Sequence, residues 1–297
     1  MKFIEREPNF IPAQTAGIER SFLDIQYATG ARNYLDIYLP NQPQASYPVI
    51  IDIHGGGMYF GQKSSHKLNG ALKLLKKGYA VISPNYSLSY MAAFPQPVYE
   101  LKAVIRFVRA HAEKYHLDAQ NIFLMGESSG AQLAMLVATS ELQGKLRSDF
   151  GGNLEYSNQV NGVIASYGPY DLAMMKPQFE VLQQTPKFKE TGAFDSFEGM
   201  MLKKQRPVDV PELNAQANPE TYLTDEMVPC LFYAGKKDRV VPYIQTINLA
   251  AEVTKWIGKD QVEMHILEAA THGPADFMNE TVLKQKANFL QRNLHKC

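Results

Sequence analysis

Two stretches of alternating apolar and polar residues open the chain, at 22–27 and 34–39, the second with Leu35, Ile37 and Leu39 on one side and Pro40 closing it. Such alternation predicts an antiparallel pair at the edge of a sheet. From residue 48 the pattern changes to short, almost continuous apolar runs at 49–53, 79–83, 121–125, 160–167 and 229–234, with a last run at 262–267. These suit parallel strands covered on both faces. Between them, residues 66–77 and 98–115 carry apolar positions at helical spacing: Leu68, Leu72 and Leu75 in the first, Leu101, Val104, Ile105 and Val108 in the second. Further helices are expected after residue 128 as far as about residue 139, from near Tyr243, and at the end of the chain. Strand and helix therefore alternate. The pattern predicts an α/β fold with a mostly parallel central sheet, helices on both faces, and functional loops at the C-terminal ends of the strands.

One interval breaks the rhythm. Residues 168–228 are too many for a plain connection, and they hold Met174, Met175, Met200 and Met201 together with Pro177, Pro186, Pro207, Pro211 and Pro219. This predicts a partly helical cap at about 171–218, inserted into a single domain spanning 1–297, its methionines offering a deformable apolar lining. A surface insertion that packs its own small core is the alternative.

Composition narrows the function. With 45% hydrophobic and 20% charged residues the chain has enough apolar side chains for a large core. Lys plus Arg and Asp plus Glu both total 30, so no global field favours a nucleic-acid backbone or an anionic membrane, and a small neutral or amphipathic ligand is the expected partner. No apolar run approaches the roughly eighteen residues of a spanning helix. The first residues carry acids and lack the apolar stretch of a secretory signal, which predicts a cytoplasmic protein and leaves a removed leader open. Cys230 and Cys297 lack both metal-ligand spacing and a disulfide framework, so both read as free thiols, Cys230 as a small buried hydrophobe.

Chemistry concentrates at a few points. His54-Gly55-Gly56-Gly57 directly follows the apolar run 49–53, and three glycines can expose backbone N–H groups and adopt the positive φ values that point them into a cavity. That is how an oxyanion hole is built, although a flexible turn is the alternative. Gly126-Glu127-Ser128-Ser129-Gly130 sits between an apolar run and an apolar helix, the context in which the central serine of a tight elbow is lifted clear. Ser128 is the candidate nucleophile, and the Ser129 N–H at the helix N-terminus can favour an oxyanion. A serine needs a base. Of seven histidines, His272 stands alone in a small-residue loop beyond the last run, whereas His111, His116, His265, His295, His66 and His54 lie on helices, in a strand, in the tail or before the elbow. Asp238, in the loop after 229–234, can orient it, or can instead pair with Lys236, Lys237 or Arg239.

His-Gly-Gly-Gly, Gly-Glu-Ser-Ser-Gly, the loop Gly235-Lys236-Lys237-Asp238-Arg239-Val240-Val241-Pro242 and Thr271-His272-Gly273, in that order, resemble the α/β-hydrolase carboxylesterases and lipases. Most similar are the hormone-sensitive-lipase-like and the acetyl-xylan or feruloyl esterase-like branches. The resemblance implies an α/β-hydrolase fold with Ser128 as nucleophile, Asp238 and His272 as its partners, and an oxyanion hole from the N–H groups of Gly56, Gly57 and Ser129. It implies no cofactor or metal, and a small-molecule ester as substrate, short-chain acyl or aryl. An arylformamidase, a small-peptide hydrolase and a non-catalytic binding homologue are the alternatives. Many relatives have Ala-Gly-Gly after the nucleophile where this chain has Ser129-Gly130-Ala131, and Tyr-Arg-Leu where it has Tyr86-Ser87-Leu88. Met58, Tyr59, Phe60, Tyr86, Tyr90, Tyr167 and Tyr170 follow strand ends and form either an aromatic substrate wall or core filler. Nothing in the pattern fixes the oligomeric state.

Overall fold

The computed structural model describes residues 9–295, and its strands form where apolar runs can be covered on both sides. The edge pair is β1 (Arg20–Gln26) and β2 (Tyr34–Leu39), followed by β3 (Tyr47–Ile53). The next segment is helical but irregular: a 3₁₀ turn (His66–Leu68), α1 (Asn69–Leu72) and a second 3₁₀ turn (Lys73–Lys77). Gly78, in the left-handed region at φ +88°, ends it. Then come β4 (Ala80–Pro84), α2 (Gln96–Ala110), β5 (Leu117–Glu127), α3 (Ser129–Leu142) and β6 (Gly162–Ser166). The long interval holds α4 (Met175–Val181), α5 (Phe197–Met201) and α6 (Pro211–Gln216), after which β7 (Cys230–Gly235), α7 (Ile244–Ile257), β8 (Val262–Leu267) and α8 (Glu280–Arg292) complete the chain.

The eight strands lie in the order β1-β2-β4-β3-β5-β6-β7-β8. Only β1 and β2 run antiparallel to their neighbours; every other adjacent pair is parallel. Alternate strand residues feed two cores, as the period of two requires. Leu35, Ile37, Val49, Ile51, Leu124, Val163 and Phe232 pack on one face with apolar residues of α2, α3 and α7. Tyr38, Ile50, Val81, Phe123, Ile164, Leu231 and Tyr233 pack on the other with Leu68, Leu72, Leu75 and residues of α8. Residues 129–140 of α3 are buried throughout, so this helix is covered on every side and packs against the central strands β5 and β6.

Two boundaries differ from the periodicity by four residues or more. α2 stops at Ala110 rather than reaching residue 115, because His111 leaves helical geometry, and His116 at φ +57° turns the chain into β5. β5 accordingly begins four residues before the apolar run, at Leu117. Cys230 is a buried free thiol whose burial pushes its pKa up; Cys297 and the first eight residues lie outside the described residues. Among the described residues, no helix is long and apolar enough to cross a membrane.

Candidate active site

β5 delivers its last residue, Glu127, directly into an elbow whose apex is Ser128, at φ +52° and ψ −127°. A non-glycine residue holds such a backbone only where its surroundings over-determine it. Here the Ser128 N–H donates to the Ser166 carbonyl at 2.9 Å, and the N–H groups of Ala131 and Gln132 return to the Ser128 carbonyl. The turn is tight enough that a Cβ on Gly130 would stand 2.1 Å from the Ile53 carbonyl oxygen of β3. Gly130→Ala is therefore expected to force β3 and α3 apart, lowering stability by about 3 kcal/mol; a thermal melt reads this, and an unchanged melting temperature would contradict it.

The imidazole of His272 comes from the loop after β8. Its Nε2 lies 3.0 Å from Ser128 Oγ and its Nδ1 lies 2.7 Å from Asp238 Oδ2. Asp238 is completely buried, and its other oxygen accepts the N–H groups of Val240 at 2.7 Å and Val241 at 3.0 Å. The neighbouring cations that could have claimed this carboxylate turn elsewhere: Lys236 pairs with Glu268 at 3.0 Å, and Arg239 Nε donates to the Thr185 carbonyl at 2.8 Å. Asp276 contributes in a way that its position in sequence did not suggest. Its carboxylate accepts the Thr271 N–H at 2.9 Å and so fastens the loop one residue before His272.

Facing the serine is the loop after β3. Gly56 and Gly57 adopt φ +126° and +63°, and among the described residues the N–H groups of Gly56, Gly57 and Ser129 donate to no acceptor. They are free to bind one. A Cβ on Gly57 would strike the Phe197 ring at 2.3 Å, so glycine is required there for α5 to close over the loop as well as for the backbone angle. The departure at Ser129 has a use: its hydroxyl oxygen accepts the Met58 N–H at 3.1 Å, tying the glycine loop to the elbow. The departure at Ser87 is likewise absorbed, its N–H and hydroxyl both donating to the buried Glu100 carboxylate at 2.6 Å.

His54 serves the scaffold. Its ring stacks on Tyr86 at 4.3 Å, its carbonyl accepts the Tyr86 hydroxyl at 2.7 Å, and burial pushes its pKa down to about 3, so it stays neutral.

Ser128 and His272 open onto a cavity of about 750 Å³, within the usual range for small-molecule sites. Met58, Tyr59, Phe60 and Tyr90 line it, joined by Phe188 and Phe197 from the long interval. Of the four methionines expected to line it, Met175 and Met201 do so; Met174 is 41% exposed, and neither it nor Met200 is among the lining residues. Of the residues that could form either a substrate wall or core filler, Tyr86, Tyr167 and Tyr170 take the second place: all three lie in the core with at most 2% of their surface exposed. Tyr86 is spent on His54, Tyr167 stands behind His272 with ring centroids 4.9 Å apart, and Tyr170 packs edge-on against Phe232. Side chains following buried central strands fill the layer beneath the site before they can reach its surface. Phe188 and Phe197 went unpredicted because they belong to no periodic element that points at the strand ends.

Residues 35–253 of the chain match the BD-FAE family. Among curated proteins, the esterase LipQ of Mycobacterium tuberculosis is 29% identical over 231 residues, covering 77% of this chain and 51% of LipQ. The chain spans about half the length of the first curated relatives it matches. A truncated carbohydrate esterase from gut microbiota superposes with a TM-score of 0.83 at 26% identity, covering 95% of this chain and 99% of that one. A bifunctional GH43-CE protein of Bacteroides eggerthii gives 0.81 at 29% identity, over 95% of this chain and 39% of that one.

Proposed function

Since the chain belongs to the BD-FAE family of α/β-hydrolase carboxylesterases, we propose that it hydrolyses carboxylic esters with Ser128 as nucleophile, His272 as general base and Asp238 as the group that orients that base. The observation that carries this reading is the continuous line from Asp238 Oδ2 to His272 Nδ1 at 2.7 Å and from His272 Nε2 to Ser128 Oγ at 3.0 Å. Asp238 fixes the proton on Nδ1 and leaves Nε2 able to accept the serine proton as Oγ attacks the ester carbonyl. The carbonyl oxygen becomes an oxyanion facing the N–H groups of Gly56, Gly57 and Ser129, each worth about 3 kcal/mol at the transition state. His272 then gives its proton to the departing alkoxide oxygen, and water repeats the sequence on the acyl-enzyme, releasing the acid and returning the proton to Ser128.

Residues 171–218 act in this reading as a cap, because Met175, Phe188, Phe197 and Met201 close one side of the cavity. The rings of Tyr59, Phe60, Tyr90, Phe188 and Phe197 supply flat apolar faces, suited to an aryl group or to a sugar ring. The two solved structures named above are of a carbohydrate esterase and a GH43-CE protein. A short acyl or aryl acid esterified to a small alcohol or a sugar is the substrate we assign.

A series of nitrophenyl esters of rising acyl length, run beside N-formylkynurenine and a small peptide amide, tests this. Turnover concentrated on the short and aryl esters is expected. Activity confined to the formamide or the amide would replace the ester reading with an arylformamidase or a peptidase, and activity on none would favour a binding homologue.

A further inference from the structure

Glu127 precedes the nucleophile and lies beneath it, its side chain 13% exposed. Its side-chain Oε1 sits 3.1 Å from Lys67 Nζ, and its Oε2 accepts a hydrogen bond from the Tyr167 hydroxyl. The same Oε1 lies 3.3 Å from where a Cβ on Gly55 would stand, so the carboxylate is wedged against the glycine loop. Tyr167 in turn presents its ring to the His272 imidazole edge to face, at 4.9 Å and 68°. Lys67, Glu127, Tyr167 and His272 thus form one continuous chain that reaches the imidazole on a side that neither Asp238 nor Ser128 touches.

We propose that Glu127 and Tyr167 are positioning residues for His272, Tyr167 restraining the imidazole and Glu127 placing a largely buried anion within its field. The inference rests on the triad reading above. An imidazole hydrogen-bonded at both nitrogens can still rock about the line joining them, and a ring packed against it at 4.9 Å restrains that motion. A buried anion near it favours the imidazolium that forms as Ser128 attacks, since the low-dielectric surroundings screen it little.

The electrostatics agree with this geometry. Burial alone would raise the Glu127 carboxyl, but Lys67, the Tyr167 hydroxyl and His272 together hold it below its ordinary value, so it stays ionised. The other charged groups in this cluster are Asp52 of β3, Lys286 of α8, Lys67 and Asp238. Burial and then the Glu127 charge push Asp52 up to about 8, so below that pH Asp52 leaves Glu127 as the anion of the pair. Lys286, pushed down to about 8 by burial, is drawn to both acids.

The test is steady-state kinetics on nitrophenyl acetate across pH, with thermal melts alongside. Glu127→Gln keeps shape and the acceptor for Tyr167 but removes the charge. It is expected to lower kcat about tenfold with KM within about twofold, and to move the acid limb of kcat/KM to lower pH by about half a unit, because protonating the base loses its nearby anion. Tyr167→Phe keeps the ring and drops only the hydroxyl. It is expected to cost kcat about fivefold while leaving the acid limb in place, and it serves if the glutamine variant fails to fold. Wild-type kcat with an unmoved acid limb in a folded Glu127→Gln, or wild-type kcat in Tyr167→Phe, would overturn the inference while the triad stood, as would losses in either variant that only follow a lowered melting temperature. Full activity in Ser128→Ala would instead remove the triad reading, and this inference with it.

Discussion

Ser128→Ala is expected to lower turnover of a short nitrophenyl ester by about a millionfold while the protein stays folded. The size follows from cooperation: once the attacking oxygen is gone, the imidazole has no serine proton to accept across its 3.0 Å contact, and the carboxylate behind it orients a base with no nucleophile to activate. What remains is the cavity and the free N–H groups of Gly56, Gly57 and Ser129, which can still polarise a carbonyl toward water and leave on the order of a thousandfold over the uncatalysed rate. Stability should change little. The residue is only 8% exposed, its oxygen caps no helical N–H, and alanine tolerates the φ of +52° as poorly as serine does. Burst kinetics and intact-protein mass after brief acylation provide a second readout: an acyl adduct on the native chain and none on the variant. A variant that kept native turnover would dismiss Ser128 as nucleophile.

Asp238→Asn should be the next most damaging change, lowering kcat by about ten-thousandfold with a native melting profile. The environment of this residue dictates the outcome. One oxygen must keep accepting the N–H groups of Val240 and Val241, so an asparagine at this position has to place its carbonyl oxygen there. Its NH₂ then faces His272 Nδ1 across the 2.7 Å contact. A donor facing Nδ1 drives the imidazole proton to Nε2, where it points at Ser128 Oγ and blocks the nitrogen that must accept the serine proton. Nitrogen-resolved magnetic resonance of the imidazole would report the tautomer directly, and a kcat within tenfold of native would exclude Asp238 from the role assigned to it.

The two substitutions probe residues far apart in the chain that one sheet brings together. Ser128 follows β5, Asp238 follows β7 and His272 follows β8, and these strands lie near one another in the order β5-β6-β7-β8 with all their C-terminal ends on one side. Parallel strands with right-handed crossovers permit no other placement of those loops. This is why a motif order along the chain could be translated into a meeting point. Asp276 and Glu127 show the opposite case. Asp276 secures the loop that carries His272, and Glu127 meets Tyr167 and Lys67 below the elbow. Each is one acid among thirty in the chain, and nothing in its local pattern distinguishes an acid held by partners from a solvated one.

By itself the sequence determined the alternation of strands and helices, the two-sided covering of the central strands, and the residues able to carry the chemistry, because these follow from local periodicity and from glycine and serine placed at turns. Tertiary structure alone decided which aromatic rings face the cavity. Tyr86, Tyr167 and Tyr170 were drawn into the core, while Phe188 and Phe197 reached over the site from a distant segment. The physical reason is that backbone periodicity and turn chemistry act over a few residues, whereas the surface a side chain covers depends on which segments pack on either side of it, and that is settled only when the whole sheet has assembled.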